Sequence, residues 1–147
     1  MTEQYEIETS SGGIVYKKKG LDLQWLIIQH STAKHWGFPK GHVADKVKEE
    51  KLEEAALREV FEEGGIKAKI VSDTPITTTY FFKMEGILRK KTVHYFLMEY
   101  LSGNTQDHDW EVQEAKFVSK EELLQTLTYE SDIEAFKKIM SGRRTNI

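Results

Sequence analysis

The chain contains no cysteine. That excludes disulfides and thiolate chemistry, whether as metal ligand or nucleophile, and suits a reducing compartment. No apolar run is long enough to span a bilayer. The opening segment Met1–Glu6 is polar and acidic, unlike a secretory leader. Neither sign of charge dominates: 21 Lys and Arg stand against 24 Asp and Glu, a net charge of −3, which argues against a broad nucleic-acid-binding surface. Internal repeats, linkers and low-complexity tracts are also missing. Together these absences point to a cytoplasmic protein with no stable nucleic-acid partner and no membrane attachment.

What is present suits one soluble domain across residues 1–147, with 39% hydrophobic and 31% charged residues. Ile14–Tyr16 and Trp25–Gln29 read as strands of a hairpin turned at Lys17–Asp22. Lys67–Val71 and Thr77–Lys83 read as strands around a break at Ser72–Pro75. Thr92–Leu101 reads as a buried strand and Ala115–Val118 as a shorter one. Helices are expected over Glu49–Glu63, after a capping box at Ser119–Glu122, and over Asp132–Met140, with a frayed tail from Gly142. Strands interleaved with helices predict an α/β fold with a mixed sheet covered by helices. With no evident exposed apolar stripe, a monomer is the expected state.

The most informative stretch is Arg58-Glu59-Val60-Phe61-Glu62-Glu63-Gly64-Gly65-Ile66. Glu59, Glu62 and Glu63 fall at i, i+3 and i+4, so they share one helix face and repel one another. A solvated acidic face is one explanation. The other is a site for a hard divalent cation, since Mg²⁺ prefers carboxylate oxygens and keeps waters and phosphates as its other ligands. Leu52, Ala56 and Val60 give the same helix an apolar stripe, so it packs against a core. Arg58 can orient carboxylates through its planar fork. Upstream, Trp36-Gly37-Phe38-Pro39-Lys40-Gly41-His42-Val43 forms a loop with a cation and a bare glycine backbone. A basic loop feeding an acidic helix is what a metal–phosphate substrate requires.

These residues resemble the signature of the Nudix hydrolase family. From Arg58 to Ile66 every specified position matches, and Glu50 is separated from Arg58 by the required seven residues. The departure lies between Gly41 and Glu50, which eight residues separate where the signature has five. Lys46–Lys48 or their neighbours thus look like an insertion, leaving Glu50 or Glu49 for that position. The resemblance implies an α/β/α sandwich and hydrolysis of a phosphoanhydride with Mg²⁺, or alternatively Mn²⁺. It implies Glu59, Glu62, Glu63 and the Gly41 carbonyl as ligands, with Arg58 alongside. It also implies an acid from outside the signature, as ligand or base: Glu111, or Glu114 just behind it.

Within the family, Phe38-Pro39-Lys40-Gly41-His42-Val43 is similar to the asymmetric diadenosine tetraphosphate hydrolases. That likeness implies a polyphosphate clamp of His35, Lys40 and Lys91, and an adenine sandwich of Tyr80 and Tyr129. His42 and His94 are read as structural, and His108 has no assigned role. The implied reaction cuts diadenosine tetraphosphate to ATP and AMP. Other substrates of the same chemistry are longer dinucleoside polyphosphates, diphosphoinositol polyphosphates and RNA 5′ ends; a nucleotide-binding module without catalysis is the alternative of another class.

Overall fold

A computed structural model describes residues 5–44 and 49–142. The insertion expected at Lys46–Lys48 and the tail from residue 143 lie outside the described residues. Eight strands form one mixed sheet: β1 (Glu6–Lys19), β2 (Asp22–His30), β3 (Trp36–Gly37), β4 (Lys40–His42), β5 (Ile66–Ile70), β6 (Ile76–Met84), β7 (Ile87–Gly103) and β8 (Val112–Val118). The helices are α1 (Leu52–Gly64), α2 (Lys120–Thr126) and α3 (Glu130–Gly142). β1 and β7 run parallel through the middle, and every other pairing is antiparallel.

The period-two pattern of the central strands explains the layering. Ile14, Tyr16, Trp25, Ile27, Tyr95 and Leu97 point to one face, where α2 and α3 cover them with Leu123, Leu127, Ala135, Phe136 and Ile139. Val15, Leu26, Ile28, Phe96 and Met98 point to the other, where α1 covers them with Ala56 and Val60. The result is the expected helix–sheet–helix sandwich. Fully burying an aliphatic side chain contributes roughly 1.5–3 kcal/mol, so each face has its own apolar core. Among the described residues, no helix is long and apolar enough to cross a membrane.

The elements differ from the sequence reading at several edges. The hairpin turn is only Gly20-Leu21, with Lys19 paired to Asp22; Gly20 takes the left-handed φ of 62° that the tight turn needs. α1 begins at Leu52 rather than Glu49, because Glu49 has a left-handed φ of 65° and the Glu50 carboxylate turns back to Arg58. Gly65 ends the helix at φ 74°, its N–H donating to Phe61 O at 3.0 Å. Ser119 caps α2 by accepting from Glu122 N at 3.2 Å. The Glu122 carboxylate, expected to complete the box, lies 3.4 Å from Lys116 Nζ instead. Leu127 follows α2 as its C-cap residue.

Candidate active site

The apolar stripe of α1 faces the sheet and sets its carboxylates along the adjoining edge, beside β4. Arg58 is their hub. Its Nε and Nη2 donate to Glu50 at 2.7 and 2.9 Å, its Nη1 to Glu59 at 2.9 Å and to Glu62 at 3.0 Å, and Nη2 also reaches His42 O at 3.2 Å. Glu50, not Glu49, receives the fork, and its side chain is only 3% exposed. Hydrogen bonding from Arg58 holds the Glu50 carboxyl below its ordinary range against the opposing effect of burial. Glu50 in turn accepts from Ala44 N at 3.1 Å, so the loop entering α1 closes on the ion pair.

Gly41 is a point of close approach. A Cβ there would stand 1.9 Å from Glu59 Oε2, so only glycine lets the Glu59 carboxylate lie against the β4 backbone. One residue earlier, Lys40 N donates to Glu63 Oε1 at 3.1 Å. Glu63 is buried, and its carboxyl is pushed up to about 8, mainly by burial and further by the charges of Glu59, Asp109 and Glu111. Glu111 therefore faces Glu63 electrostatically. Glu114 does not figure among those charges; it pairs across strands with Gln29 and lies 3.7 Å from Lys116.

No sequence pattern marks Asp109. It lies in the same turn as Glu111, and its N–H donates to Glu62 O at 2.8 Å. A buried carboxylate crowded by three others costs free energy unless a cation joins them. The donors are hard oxygens, as Mg²⁺ or Mn²⁺ prefers, so these residues fit a divalent ion. Among the described residues, no three His, Asp or Glu side chains already converge as a metal cage.

On the other face of the sheet lies a cleft of about 560 Å³, lined by His35, Lys40, Tyr80, Tyr129, Phe82 and Asp132 among others. Four of the five expected substrate-binding residues thus meet in one cavity. Lys40 Nζ sits 5.7 Å from the Tyr80 ring centroid, and the His35 ring lies 5.3 Å from that of Tyr129. Tyr129 is half-exposed in the loop between α2 and α3, whereas Tyr80 also packs against the core. Burial lowers the His35 pKa, and the charges of His30 and Lys40 lower it further. His30, which no sequence pattern marks, stacks on His35 at 4.8 Å. Asp132, at the start of α3, accepts from Tyr95 Oη at 2.8 Å in the cleft floor. Burial raises its pKa. No local pattern marks it, because its partner is 37 residues away.

Lys91, the fifth, sits beside Tyr80 in the β6–β7 register, with Nζ 3.8 Å from Glu8. Burial and the charge of Lys40 lower its pKa, while Glu8 and Glu59 act oppositely. It borders the cleft and does not line it. His94 shares a hydrogen bond with Thr77 Oγ1 at 2.9 Å. The His42 ring is 3.8 Å from Glu8, and His108 Nδ1 meets Asp109 O at 2.8 Å.

A mixed sheet between helices, with a glutamate-bearing helix packed against a glycine strand, defines a protein class that comparison identifies. The Nudix domain profile matches residues 9–139, and the chain belongs to that family. Over 130 residues it is 35% identical to a Mycobacterium tuberculosis protein carrying the name mutator protein MutT4, covering 83% of this chain and 50% of that protein. The chain thus spans about half the length of the curated relative it matches. Among solved structures it is similar to C. elegans Ap4A hydrolase, with TM-score 0.69, 25% identity, and coverage of 92% of this chain and 98% of that one. The Nudix domain of Shewanella oneidensis NrtR, complexed with ADP ribose, has TM-score 0.69 at 15% identity, covering 96% and 90%. That last likeness shows the fold alone.

Proposed function

We propose that this chain is a Nudix hydrolase that cuts a phosphoanhydride in diadenosine tetraphosphate, releasing ATP and AMP. The observation that carries the reading is the meeting of two tyrosines, His35 and Lys40 in one cleft beside the Glu63 carboxylate. Tyr80 and Tyr129 offer flat faces to an adenine, and such stacking is worth roughly 1–3 kcal/mol per base. His35, Lys40 and Lys91 offset the charge of the polyphosphate. The likeness to C. elegans Ap4A hydrolase supports this substrate.

Glu59, Glu62, Glu63 and the Gly41 carbonyl would hold Mg²⁺, or Mn²⁺, with Glu111 as a further ligand or as the base. A bound cation of this kind lowers the charge on the phosphate oxygens and the pKa of water. Arg58 keeps Glu59 and Glu62 at fixed rotamers through its two hydrogen bonds from Nη1. Lys40 N–H orients Glu63. Aromatic cleft walls exclude water from the base, so binding energy at the nucleoside end positions the reacting phosphorus.

Product analysis by chromatography tests the reading. Diadenosine tetraphosphate should give ATP and AMP in a reaction requiring Mg²⁺. Glu63→Gln should slow turnover by orders of magnitude with the fold intact. Faster cleavage of a diphosphoinositol polyphosphate or an RNA 5′ end would reassign the substrate. Binding without cleavage across the panel would make the chain a nucleotide-binding module.

A further inference from the structure

Of the three tryptophans, Trp25 is buried in the core and Trp36 is partly covered, with Lys116 Nζ 5.1 Å from its ring centroid. Trp110 is 82% exposed. A lone exposed apolar residue has no meaning by itself. Here two features give it one: the turn that presents it is anchored, and the turn adjoins the site.

The anchors come from several elements. Asp109 N donates to Glu62 O at 2.8 Å, and Glu111 N donates to Asp109 Oδ1 at 3.1 Å. Glu111 O accepts from Ser31 N at 2.9 Å and from Ser31 Oγ at 3.0 Å. The backbone on both sides of the indole is therefore fixed to α1 and to the end of β2. A ring held on a fixed backbone loses little freedom when a ligand covers it.

The residues flanking Trp110 are two of the three acids whose charges act on Glu63, and Asp109 is tied to the neighbouring Glu62 backbone. Glu63 also lines a small cavity with His35, Lys40, Tyr129 and Asp132, and those four residues line the tyrosine cleft as well. A chain of contacts runs from the Tyr80 ring to the Lys40 ammonium, from Lys40 N to Glu63, and from Glu62 O to Asp109 N, the residue before Trp110. Aromatic residues thus stand at both ends of that chain of contacts, with basic and carboxylate groups between them.

We propose that Trp110 is a stacking platform for a second aromatic base, at the opposite end of the polyphosphate from the base held by Tyr80 and Tyr129. This rests on the hydrolase reading above and deepens it: the substrate class is a polyphosphate bearing a base at both ends. A mononucleoside polyphosphate would use the tyrosine cleft and leave Trp110 uncovered.

Two measurements decide it. Steady-state kinetics of wild type, Trp110→Ala and Trp110→Phe compare diadenosine tetraphosphate with adenosine 5′-tetraphosphate, which has a phosphate chain of the same length and one base. Trp110→Ala should raise KM for the two-base substrate roughly tenfold, leave KM for the one-base substrate unchanged, and be rescued by phenylalanine. An equal change for both substrates, or none for either, overturns the proposal. Trp110 emission, taken as wild type minus Trp110→Ala with Ca²⁺ in place of Mg²⁺, should be quenched by diadenosine tetraphosphate and not by adenosine 5′-tetraphosphate. Absence of quenching overturns the platform whatever the turnover. Quenching without cleavage of any nucleotide would overturn the hydrolase reading and leave the platform standing. Because Trp110 is so exposed, both variants should melt as the wild type does.

Discussion

Arg58 grips Glu50 with two hydrogen bonds of 2.7 and 2.9 Å, across the loop that leads into α1. Glu50 is nearly sealed from solvent, and removing its partner leaves a buried charge with only the Ala44 N–H to compensate it. Such losses cost about 3–5 kcal/mol. Arg58→Ala should therefore lower unfolding free energy by that order in urea titration. Arg58→Lys should recover only part of it, since an ammonium cannot reproduce the fork. A loss below about 1 kcal/mol would mean that the pair behaves as a solvated surface bridge.

Glu63 should make stability depend on pH in an identifiable window. Its carboxyl titrates at about 8 in the fold against 4.5 as the ordinary value, so between those limits the folded state holds a proton that the unfolded chain has released. The stabilisation is complete below about pH 4.5 and is lost as pH rises through about 8. The effect is on the order of a few kcal/mol. In EDTA, the wild type should lose melting temperature from pH 5 to 8 relative to Glu63→Gln, and Mg²⁺ should restore it at the alkaline end. Parallel pH profiles for the two proteins in EDTA would refute the assignment.

Gly41→Ala should fold and fail. The added methyl would meet Glu59 Oε2 at 1.9 Å, so the carboxylate must swing away from β4. A displacement of about 1 Å at a reacting centre can cost on the order of a hundredfold in rate. The expected result is a drop of that order in kcat with near-normal far-UV circular dichroism. Wild-type kcat would show that Glu59 needs no contact with the strand.

The two cleft tyrosines should separate recognition from packing. Tyr129→Ala should raise KM for diadenosine tetraphosphate roughly tenfold with melting unchanged, since the ring is half-exposed. Tyr80→Ala should raise KM similarly and also lower the melting temperature, because this ring packs against the buried cluster. Unchanged KM in both variants would remove the adenine sandwich.

The sequence reading reached furthest where a period repeats. The stripe of Leu52, Ala56 and Val60 and the alternation through Trp25–Gln29 recur often enough to orient whole elements. β3 and β4 escaped because two or three residues show no period, and Gly37, Pro39 and Gly41 read as loop. The carboxylates of α1 were legible because they lie within one helical turn. Asp109 and Asp132 were not, because each joins the site through a residue far along the chain, Asp109 through Glu62 and Asp132 through Tyr95; His30 meets the ring of His35 only five residues on, but across a turn that no helix or strand period marks. Glu50 shows the converse. Its spacing from Gly41 departs from the family signature, yet its contact with Arg58 is made, because a loop can lengthen while its ends stay fixed.

The three-residue strand β4 belongs to both halves of the site. Its Lys40 side chain enters the tyrosine cleft, its Lys40 N–H meets Glu63, and its Gly41 backbone abuts Glu59. Pocket and carboxylates therefore share a hinge pin with no flexible segment between them. A nucleotide seated askew against the tyrosines would tilt that pin and pull the carboxylates out of line. Discrimination among nucleotides on this scaffold should consequently appear in kcat as well as in KM.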